Sequence, residues 1–352
     1  MNDRCFFWMF LLCLAFPVKA ILQEPGEAHI AHPPVGLLED PSPLELSLTA
    51  SIKSLKKETN DSTYLESTLA FADRSQPKDS IELLVRARGN SRRSNCYFAP
   101  LKLKFRTSDI RGTLYEGHKE LKLVLPCLIG SLSDDYVLKE YLAYKLFEVV
   151  SPYYYQTRLA HVEFIELKGR RKRSHQLMGF LIEDHGTLAG RLDGKRMRKN
   201  LPPQMQDPRA SVINNLFQYA IGNTDYSLRL QHNQRLYYIQ GKYVSIPYDF
   251  DMAGLVNAPY ATVSNVQTLD YQPSSVRERV YKGFLRDTVL MQEVRQEFLD
   301  ARPGIMEELE DLQPYFKDRG QYEEAQKYLQ GFFDILGDDR KFEREILRRM
   351  RE

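Results

Sequence analysis

The first half of the chain places apolar side chains at every second position, and this spacing restricts its possible folds more than any other feature. From Leu44 to Ile52 every second residue is apolar. Neighbouring side chains of a β-strand point to opposite faces, so the spacing predicts a strand with one buried face. Further strand signals lie at 69–72, 81–88, 101–105, 121–125, 158–167 and 176–183. We therefore expect a sheet-rich first half.

Helical spacing dominates the second half, and one helix interrupts the first. Residues 136–150 carry apolar side chains three and four positions apart, the period of an amphipathic helix. Residues 212–221 predict another helix, which ends at Gly222, and residues 236–248 predict a hairpin that turns at Gln240-Gly241. Four amphipathic helices are expected within 276–350. Their expected breaks are Pro303-Gly304, Gly320 and Gly337.

This order of elements predicts an α+β protein with two lobes. Residues 44–185 would form a β-rich N-terminal lobe, and residues 186–352 a mainly helical C-terminal lobe that contains the hairpin. A cleft between two such lobes is a common place for a ligand site. Residues 21–43 are rich in Pro, Gly and Glu, which predicts an exposed leader before the first strand.

Residues 1–20 have the layout of a secretory signal peptide. Arg4 is followed by a nearly unbroken apolar run from Cys5 to Phe16, and Val18-Lys19-Ala20 provides a cleavage point. The run is shorter than the roughly 20 residues that span a bilayer. We expect a secreted or periplasmic protein with no membrane span after removal of the signal; a retained anchor is the alternative.

Cysteine usage and net charge indicate whether a disulfide can form and whether nucleic acid is an expected partner. Of four cysteines, only Cys96 and Cys127 remain after the signal peptide is removed. Export permits them to form one disulfide, and two buried free thiols are the alternative. The formal net charge is only +2, which gives no electrostatic reason to expect nucleic acid as a partner.

Two groups of polar residues could carry chemistry. Asp225 follows the predicted helix end, with Asn233 eight residues later, and Asp249 and Asp251 follow the hairpin. Phosphoryl transfer needs one carboxylate to orient the attacking hydroxyl and further oxygen ligands for a metal ion. The alternative is that Asp225 caps a turn and the other two carboxylates flank an ordinary loop.

Lysines on the predicted strands fit the same chemistry. Lys102 and Lys104 point away from the apolar face of 101–105, and Lys122 points away from that of 121–125. A kinase uses a strand lysine on the nucleotide phosphates, held by a helix carboxylate, and Glu140 could supply that carboxylate. Solvated lysines on a half-exposed sheet are the alternative.

Five segments together resemble the spore-coat protein H (CotH) kinase-like family over about residues 80–255. They are Arg88-Gly89-Asn90-Ser91 with Ala99–Phe105, Leu138–Leu146, Gly179–Glu183, Gly222-Asn223-Thr224-Asp225 and Pro247-Tyr248-Asp249-Phe250-Asp251. The resemblance implies a secreted, atypical protein-kinase-like fold. It also implies the use of ATP with Mg²⁺ or Mn²⁺ to phosphorylate Ser or Thr of a protein substrate.

The resemblance also implies roles for individual residues. Asp225 would be the catalytic aspartate, Asp251 the metal ligand with Asp249 beside it, and Glu183 would lie near the nucleotide. Either Lys104 or Lys122 would contact the phosphates.

The chain departs from the family in two places. Asn233, the candidate third metal ligand, lies farther from the catalytic aspartate than the family's asparagine usually does. A Gly-rich phosphate loop is missing, and the basic stretch that begins at Arg88 and ends at Arg93 could replace it or be a plain basic turn. These departures keep two alternatives open. One is a catalytically inactive exported binding or envelope-structural protein, and the other is a metal-dependent hydrolase, whose water-activating base the sequence does not identify.

Overall fold

The computed structural model describes residues 36–72, 79–89, 91–130, 132–264, 266 and 273–352. Residues 35–352 form one compact unit. The predicted signal peptide and residues 21–35 of the predicted leader lie outside the described residues.

Seven strands from the first half of the chain close into a barrel. Their bounds are β1 Leu44–Ala50, β2 Leu65–Ala72, β3 Asp79–Ala87, β4 Leu101–Phe105, β5 Glu120–Val124, β6 Thr157–Lys168 and β7 Arg171–Glu183. Their order around the barrel is β1-β2-β3-β4-β5-β7-β6. β6 closes the barrel by pairing in parallel with β1, with Leu44 opposite Ala160, and the other neighbours are antiparallel.

The interior of the barrel is filled by the alternating apolar residues of its strands. Leu46, Leu103, Leu121 and Leu123 are all buried within one core cluster. The period-two pattern therefore located the strands correctly. It did not predict closure, because the period gives each strand's buried face but not the strand with which it pairs.

The helices and a small second sheet complete the fold. The helices are α1 Ile52–Glu58, α2 Ser91–Asn95, α3 Ser133–Val150, α4 His185–Arg191, α5 Pro208–Ile221, α6 Thr288–Asp300, α7 Arg302–Leu312, α8 Arg319–Leu336 and α9 Asp339–Glu345. The second sheet has the order β10-β9-β8, with β8 Gly194–Arg196, β9 Gln234–Ile239 and β10 Lys242–Pro247. The hairpin β9–β10 and its turn at Gln240-Gly241 agree with the prediction.

A second core lies outside the barrel, where α3 packs on β7. Tyr144 of α3 contacts Phe180 of β7 with ring centroids 5.5 Å apart, and Phe250 with ring centroids 4.7 Å apart. This core also includes apolar residues of α5 to α9. The helices therefore cover the outer face of the barrel on the side of β5 to β7, and the loop that contains Phe250 is held against α3.

The four C-terminal helices are present, although two of their predicted breaks are misplaced. Pro303 and Gly304 lie in the first turn of α7, and Gly320 lies in the first turn of α8. Proline is tolerated in a first turn because its missing N–H would have no helical partner there. Gly337 does separate α8 from α9, and Gly222 ends α5 in the left-handed conformation, with φ of 63°.

The described end of the predicted leader packs against the barrel. Leu37 is buried, and the buried guanidinium of Arg158 donates to the carboxylate of Asp40 and the carbonyl of Ser42, at 2.8 and 2.9 Å. A buried arginine needs such acceptors. Residues 36–43 are therefore part of the folded unit, in contrast to the exposed leader that their composition predicted.

Cys96 and Cys127 form the predicted disulfide, across a sequence separation of 31 residues. It joins the end of α2 to the segment after β5, where the backbone N–H of Tyr97 also donates to the carbonyl of Cys127 at 2.7 Å. A cross-link across a loop of this length stabilises a fold by about 3 to 4 kcal/mol in the chain-entropy model. The disulfide therefore fixes α2 at the rim of the barrel.

The α+β class is confirmed, but the sheet-rich part is a closed barrel. Sequence spacing predicted a β-rich lobe but not whether its sheet is open or closed. A closed seven-stranded barrel differs from a kinase-like lobe. No helix in the described part of the chain is long and apolar enough to cross a membrane.

Candidate functional site

The loop after α5 presents Asp225 within a set of hydrogen-bond donors. Its carboxylate accepts from the Ser264 hydroxyl at 2.6 Å and the Asn233 amide at 2.9 Å, and lies 3.2 Å from His232 Nε2. Burial raises the pKa of Asp225, but the hydrogen bonds from His232 and Ser264 outweigh it and leave the pKa below its usual value. The carboxylate is therefore ionised and oriented at neutral pH.

Backbone hydrogen bonds hold the second aspartate loop against the first. The N–H groups of Gly254 and Leu255 donate to the carbonyls of Gly222 and Ile221, at 3.1 and 2.9 Å. These bonds connect residues that follow β10 with the C-terminal end of α5. As a result, the negative charge of Asp225 is close enough to raise the pKa of Asp251.

Glu140 of α3 joins Asp249 and Asp251 in what we call the acidic cluster. One carboxylate oxygen from each of the three lies within 4.8 Å of the others. Burial and the charges of the neighbouring carboxylates together raise the pKa of Glu140 to about 7 and that of Asp251 to about 6. Three converging carboxylates are a donor set of the kind that Mg²⁺ and Mn²⁺ accept.

The guanidinium of Arg92, from α2, lies among these three carboxylates. Its nitrogens are 3.0 Å from Glu140, 3.3 Å from Asp251 and 3.7 Å from Asp249. The arginine is 9% exposed, and its charge lowers the pKa of both Glu140 and Asp251 against the effect of burial. The local pattern of this basic stretch suggested either a phosphate contact or a plain basic turn, because nothing in that pattern showed that α2 faces α3.

Lys122 of β5 is a buried cation beside the acidic cluster. It is 6% exposed, and within the described part of the chain its Nζ has no hydrogen-bond partner. The Nζ lies 5.0 Å from the ring centroid of Tyr155 and 5.3 Å from that of Tyr248. Burial lowers the pKa of Lys122 well below its usual value, and the charges of Arg88 and Arg235 lower it further.

Arg88, Lys122, Arg196 and Arg235 converge on one histidine, and we call these four residues the cationic cluster. Burial strongly lowers the pKa of His185, and all four cations lower it further, so its ring is neutral. His185 Nδ1 lies 2.8 Å from the Tyr155 hydroxyl. Asp249 interacts electrostatically with both Lys122 and Glu140, so the charge of this residue links the cationic and acidic clusters.

The other two candidate lysines, Lys102 and Lys104, do not belong to the acidic or the cationic cluster. Lys104 is exposed, with its Nζ 5.6 Å from the Tyr64 ring centroid, and Lys102 pairs with Glu120 at 2.6 Å. Of the two lysines proposed to contact phosphate, Lys122 is therefore the one beside the carboxylates.

Two further candidates, Glu183 and Asn233, form hydrogen bonds with other residues of the protein. Glu183 is buried and accepts from the backbone N–H of Gln156 at 2.7 Å and from Arg191 at 2.5 Å. The side-chain amide of Asn233 donates to Asp225. Asn233 therefore lies beside the candidate catalytic residue.

Comparison with known proteins assigns no family to the chain. No protein-family model matches it, and no curated protein matches it. Its function has to be argued from the geometry of the two clusters and of Asp225.

Proposed function

We propose that this protein is an exported, metal-dependent phosphotransferase that moves the γ-phosphoryl group of ATP to Ser or Thr of a protein substrate. The observation that carries the proposal is that Lys122, whose Nζ has no hydrogen-bond partner among the described residues, interacts electrostatically with Asp249 of the three-carboxylate cluster. A nucleoside triphosphate bound with a divalent cation needs both kinds of group side by side.

The cationic cluster would bind the phosphates. Burial lowers the pKa of Lys122, and the charges of Arg88 and Arg235 lower it further, so these cations repel one another in the absence of an anion. A triphosphate would remove that repulsion and give the buried Nζ of Lys122 its missing acceptor. The neutral ring of His185 adds no further positive charge to this group.

Asp225 would orient the attacking hydroxyl of the substrate. Its carboxylate is ionised and held by His232, Ser264 and Asn233, so it can accept a hydrogen bond from an incoming Ser or Thr. Orientation by a fixed carboxylate is the main contribution that a protein makes to phosphoryl transfer besides charge stabilisation.

Asp249 and Asp251 would hold the divalent cation, with Glu140 nearby. Their oxygen donors fit Mg²⁺ or Mn²⁺, which when bound neutralises phosphate charge. Arg92 now satisfies these carboxylates, so loading the site requires its guanidinium to move away from Asp249 and Asp251.

The kinase-like fold and the export of the protein are parts of the same proposal. The order of the motifs that resemble the CotH family supports the fold, although Glu140 pairs with Arg92 where the resemblance implies a strand lysine. The disulfide supports export, because disulfides persist in oxidising compartments.

A catalytically inactive binding protein is the second candidate, and one observation favours it. Arg92 fills the space between the three carboxylates, as a permanent internal cation would in a protein that no longer binds metal. The two candidates differ in whether ATP binds in a metal-dependent way.

Calorimetric titration of ATP with MgCl₂ or MnCl₂ tests the proposal. We expect metal-dependent binding to the wild type, loss of binding in Asp251→Ala, and no change in Asp300→Ala, a control on the exposed side of α6. Asp225→Asn should keep ATP affinity but lower transfer to dephosphorylated casein about 100-fold or more. No binding to the folded wild type with either metal would contradict the proposal, and ADP release without phosphorylated casein would favour a hydrolase.

A further inference from the structure

Lys282 is a buried lysine whose ammonium group bonds to the backbone on both sides of the candidate catalytic aspartate. It is 2% exposed and lies in the irregular segment before α6. Its Nζ donates to the carbonyl oxygens of Thr224 and Tyr226, at 2.7 and 2.9 Å. Lysines are rarely buried without a carboxylate partner. This one instead spans the two carbonyls on either side of Asp225.

We propose that Lys282 is a positioning residue that fixes the backbone around Asp225 and thereby aims its carboxylate. The inference rests on the proposed phosphotransferase function. One nitrogen bonded to both carbonyls restrains the peptide group before Asp225 and the peptide group after Tyr226, so the backbone is held on each side of Asp225. The hydrogen bonds from His232 and Ser264 can then select a single carboxylate orientation.

Lys282 is itself held from two sides. The Arg351 guanidinium donates to the carbonyl of Lys282, and the backbone N–H of Arg351 donates to the carbonyl of Gly283 at 2.9 Å. On the other side, the Nζ lies 4.8 Å from the ring centroid of Tyr226, within the range of a cation–π contact. The lysine therefore has little freedom to follow a displaced Asp225 loop.

Burial of this ammonium opposes folding, which argues against a purely structural role. Desolvation is the main cause that lowers the pKa of Lys282 from 10.5 to about 7, while the charge of Arg351 also lowers the pKa and the charge of Asp225 raises it. An apolar side chain of similar length would avoid that cost. A lysine kept here is better explained by what it does to the Asp225 loop than by core packing.

Lys282→Met tests the role, with Lys139→Met as the matched control. Lys139 is also fully buried, and burial lowers its pKa to about 8, but its Nζ donates to Gln321 and lies 3.6 Å from Glu324, both of α8, rather than bonding to the carbonyls beside Asp225. Transfer from ATP with Mn²⁺ to dephosphorylated casein gives kcat and KM. The imidazole NMR signals of His232 report its contact with Asp225 without any need for activity.

The expected result is a 10- to 100-fold lower kcat in Lys282→Met, since small displacements of a catalytic group cost about that much. The KM for ATP should stay within about twofold of the wild-type value, since the residues proposed to bind ATP are unchanged. The His232 signals should shift in Lys282→Met, whereas Lys139→Met should leave both readouts unchanged. If Lys282→Met does not fold, Lys282→Gln replaces it, because its amide keeps a donor in the pocket.

Unchanged kcat and unchanged His232 signals in the folded variant would overturn the inference. If the wild type transfers no phosphate, the proposed function fails, and the His232 signals alone decide whether Lys282 positions the Asp225 loop. A shift then supports the positioning role, and identical spectra reject it.

Discussion

Arg92 Nε lies 3.3 Å from a carboxylate oxygen of Asp251, although the two residues stand on α2 and after β10. The same guanidinium contacts Glu140 at 3.0 Å. The disulfide of Cys96 holds α2 in place, and α3 supplies Glu140 from the other side. A cation supplied by the protein therefore balances a group of carboxylates that would otherwise repel one another.

Removal of Arg92 should destabilise the protein and make its stability depend on a bound metal ion. Arg92→Ala leaves Glu140 and Asp251 buried without a counter-ion, which typically costs about 3 to 5 kcal/mol. We expect Mn²⁺ to restore part of this loss, because a bound cation replaces the missing charge. Urea denaturation with and without MnCl₂ measures both effects.

The control for this variant is Arg106→Ala, which breaks an exposed pair with Glu66. Exposed pairs contribute about 1 kcal/mol or less, and Mn²⁺ should leave this variant unchanged. An Arg92→Ala protein as stable as the wild type, or one indifferent to Mn²⁺, would show that the carboxylates do not form a cation site.

Replacement of Lys122 should stabilise the fold while removing nucleotide binding. Lys122→Met exchanges a buried lysine, which has no hydrogen-bond partner among the described residues, for an apolar side chain, so we expect a gain of about 1 to 3 kcal/mol in the free energy of unfolding. ATP affinity should fall at the same time, since the proposed phosphate contact is lost. Urea denaturation and calorimetry on the same preparation measure the two quantities.

Lys102→Met is the matched control on the neighbouring strand, opposite Lys122. Lys102 pairs with Glu120 near the surface, so its loss should change stability by about 1 kcal/mol or less and leave ATP affinity intact. If Lys122→Met lowers stability, the lysine is a structural group, and its role in phosphate binding is wrong.

Stability should depend on pH through Lys282. Its pKa falls from 10.5 to about 7 on folding because of burial. Between these two values the unfolded chain binds a proton at this lysine and the folded protein does not, so the free energy of unfolding rises with pH from about 7 to about 10. The contribution is on the order of 4 kcal/mol.

The comparison of wild type with Lys282→Met isolates this effect from other titrating groups. The difference in unfolding free energy, wild type minus variant, should become more positive with increasing pH across that range. A difference that stays constant from pH 7 to 10 would mean that Lys282 keeps its ordinary pKa in the folded protein.

Local spacing predicted most of the secondary structure correctly. β1 and β4 follow directly from apolar side chains at every second position, and α5 ends at Gly222, where the left-handed conformation suits glycine. These features depend on neighbours a few residues apart. The misplaced break at Pro303 arose because a proline marks either the end of one helix or the first turn of the next.

The candidate site was predictable only in part. The aspartates were recognisable from their order along the chain, and the charge of Asp225 contributes to the raised pKa of Asp251. Arg92 among the carboxylates and Lys282 beside Asp225 were not predicted. Each contact joins segments far apart in sequence, and the local spacing of apolar residues does not show which segments come into contact.

By itself, the sequence determined the class of the fold, the buried face of each strand and the types of residue available for chemistry, because these depend on local periodicity and side-chain chemistry. Only the tertiary structure decided that the sheet closes through β1 and β6, that Arg92 neutralises Glu140 and Asp251, and that Lys122 is buried with no acceptor in the part of the chain that the structure describes. Those outcomes follow from long-range pairing and desolvation, which act only once the chain has folded.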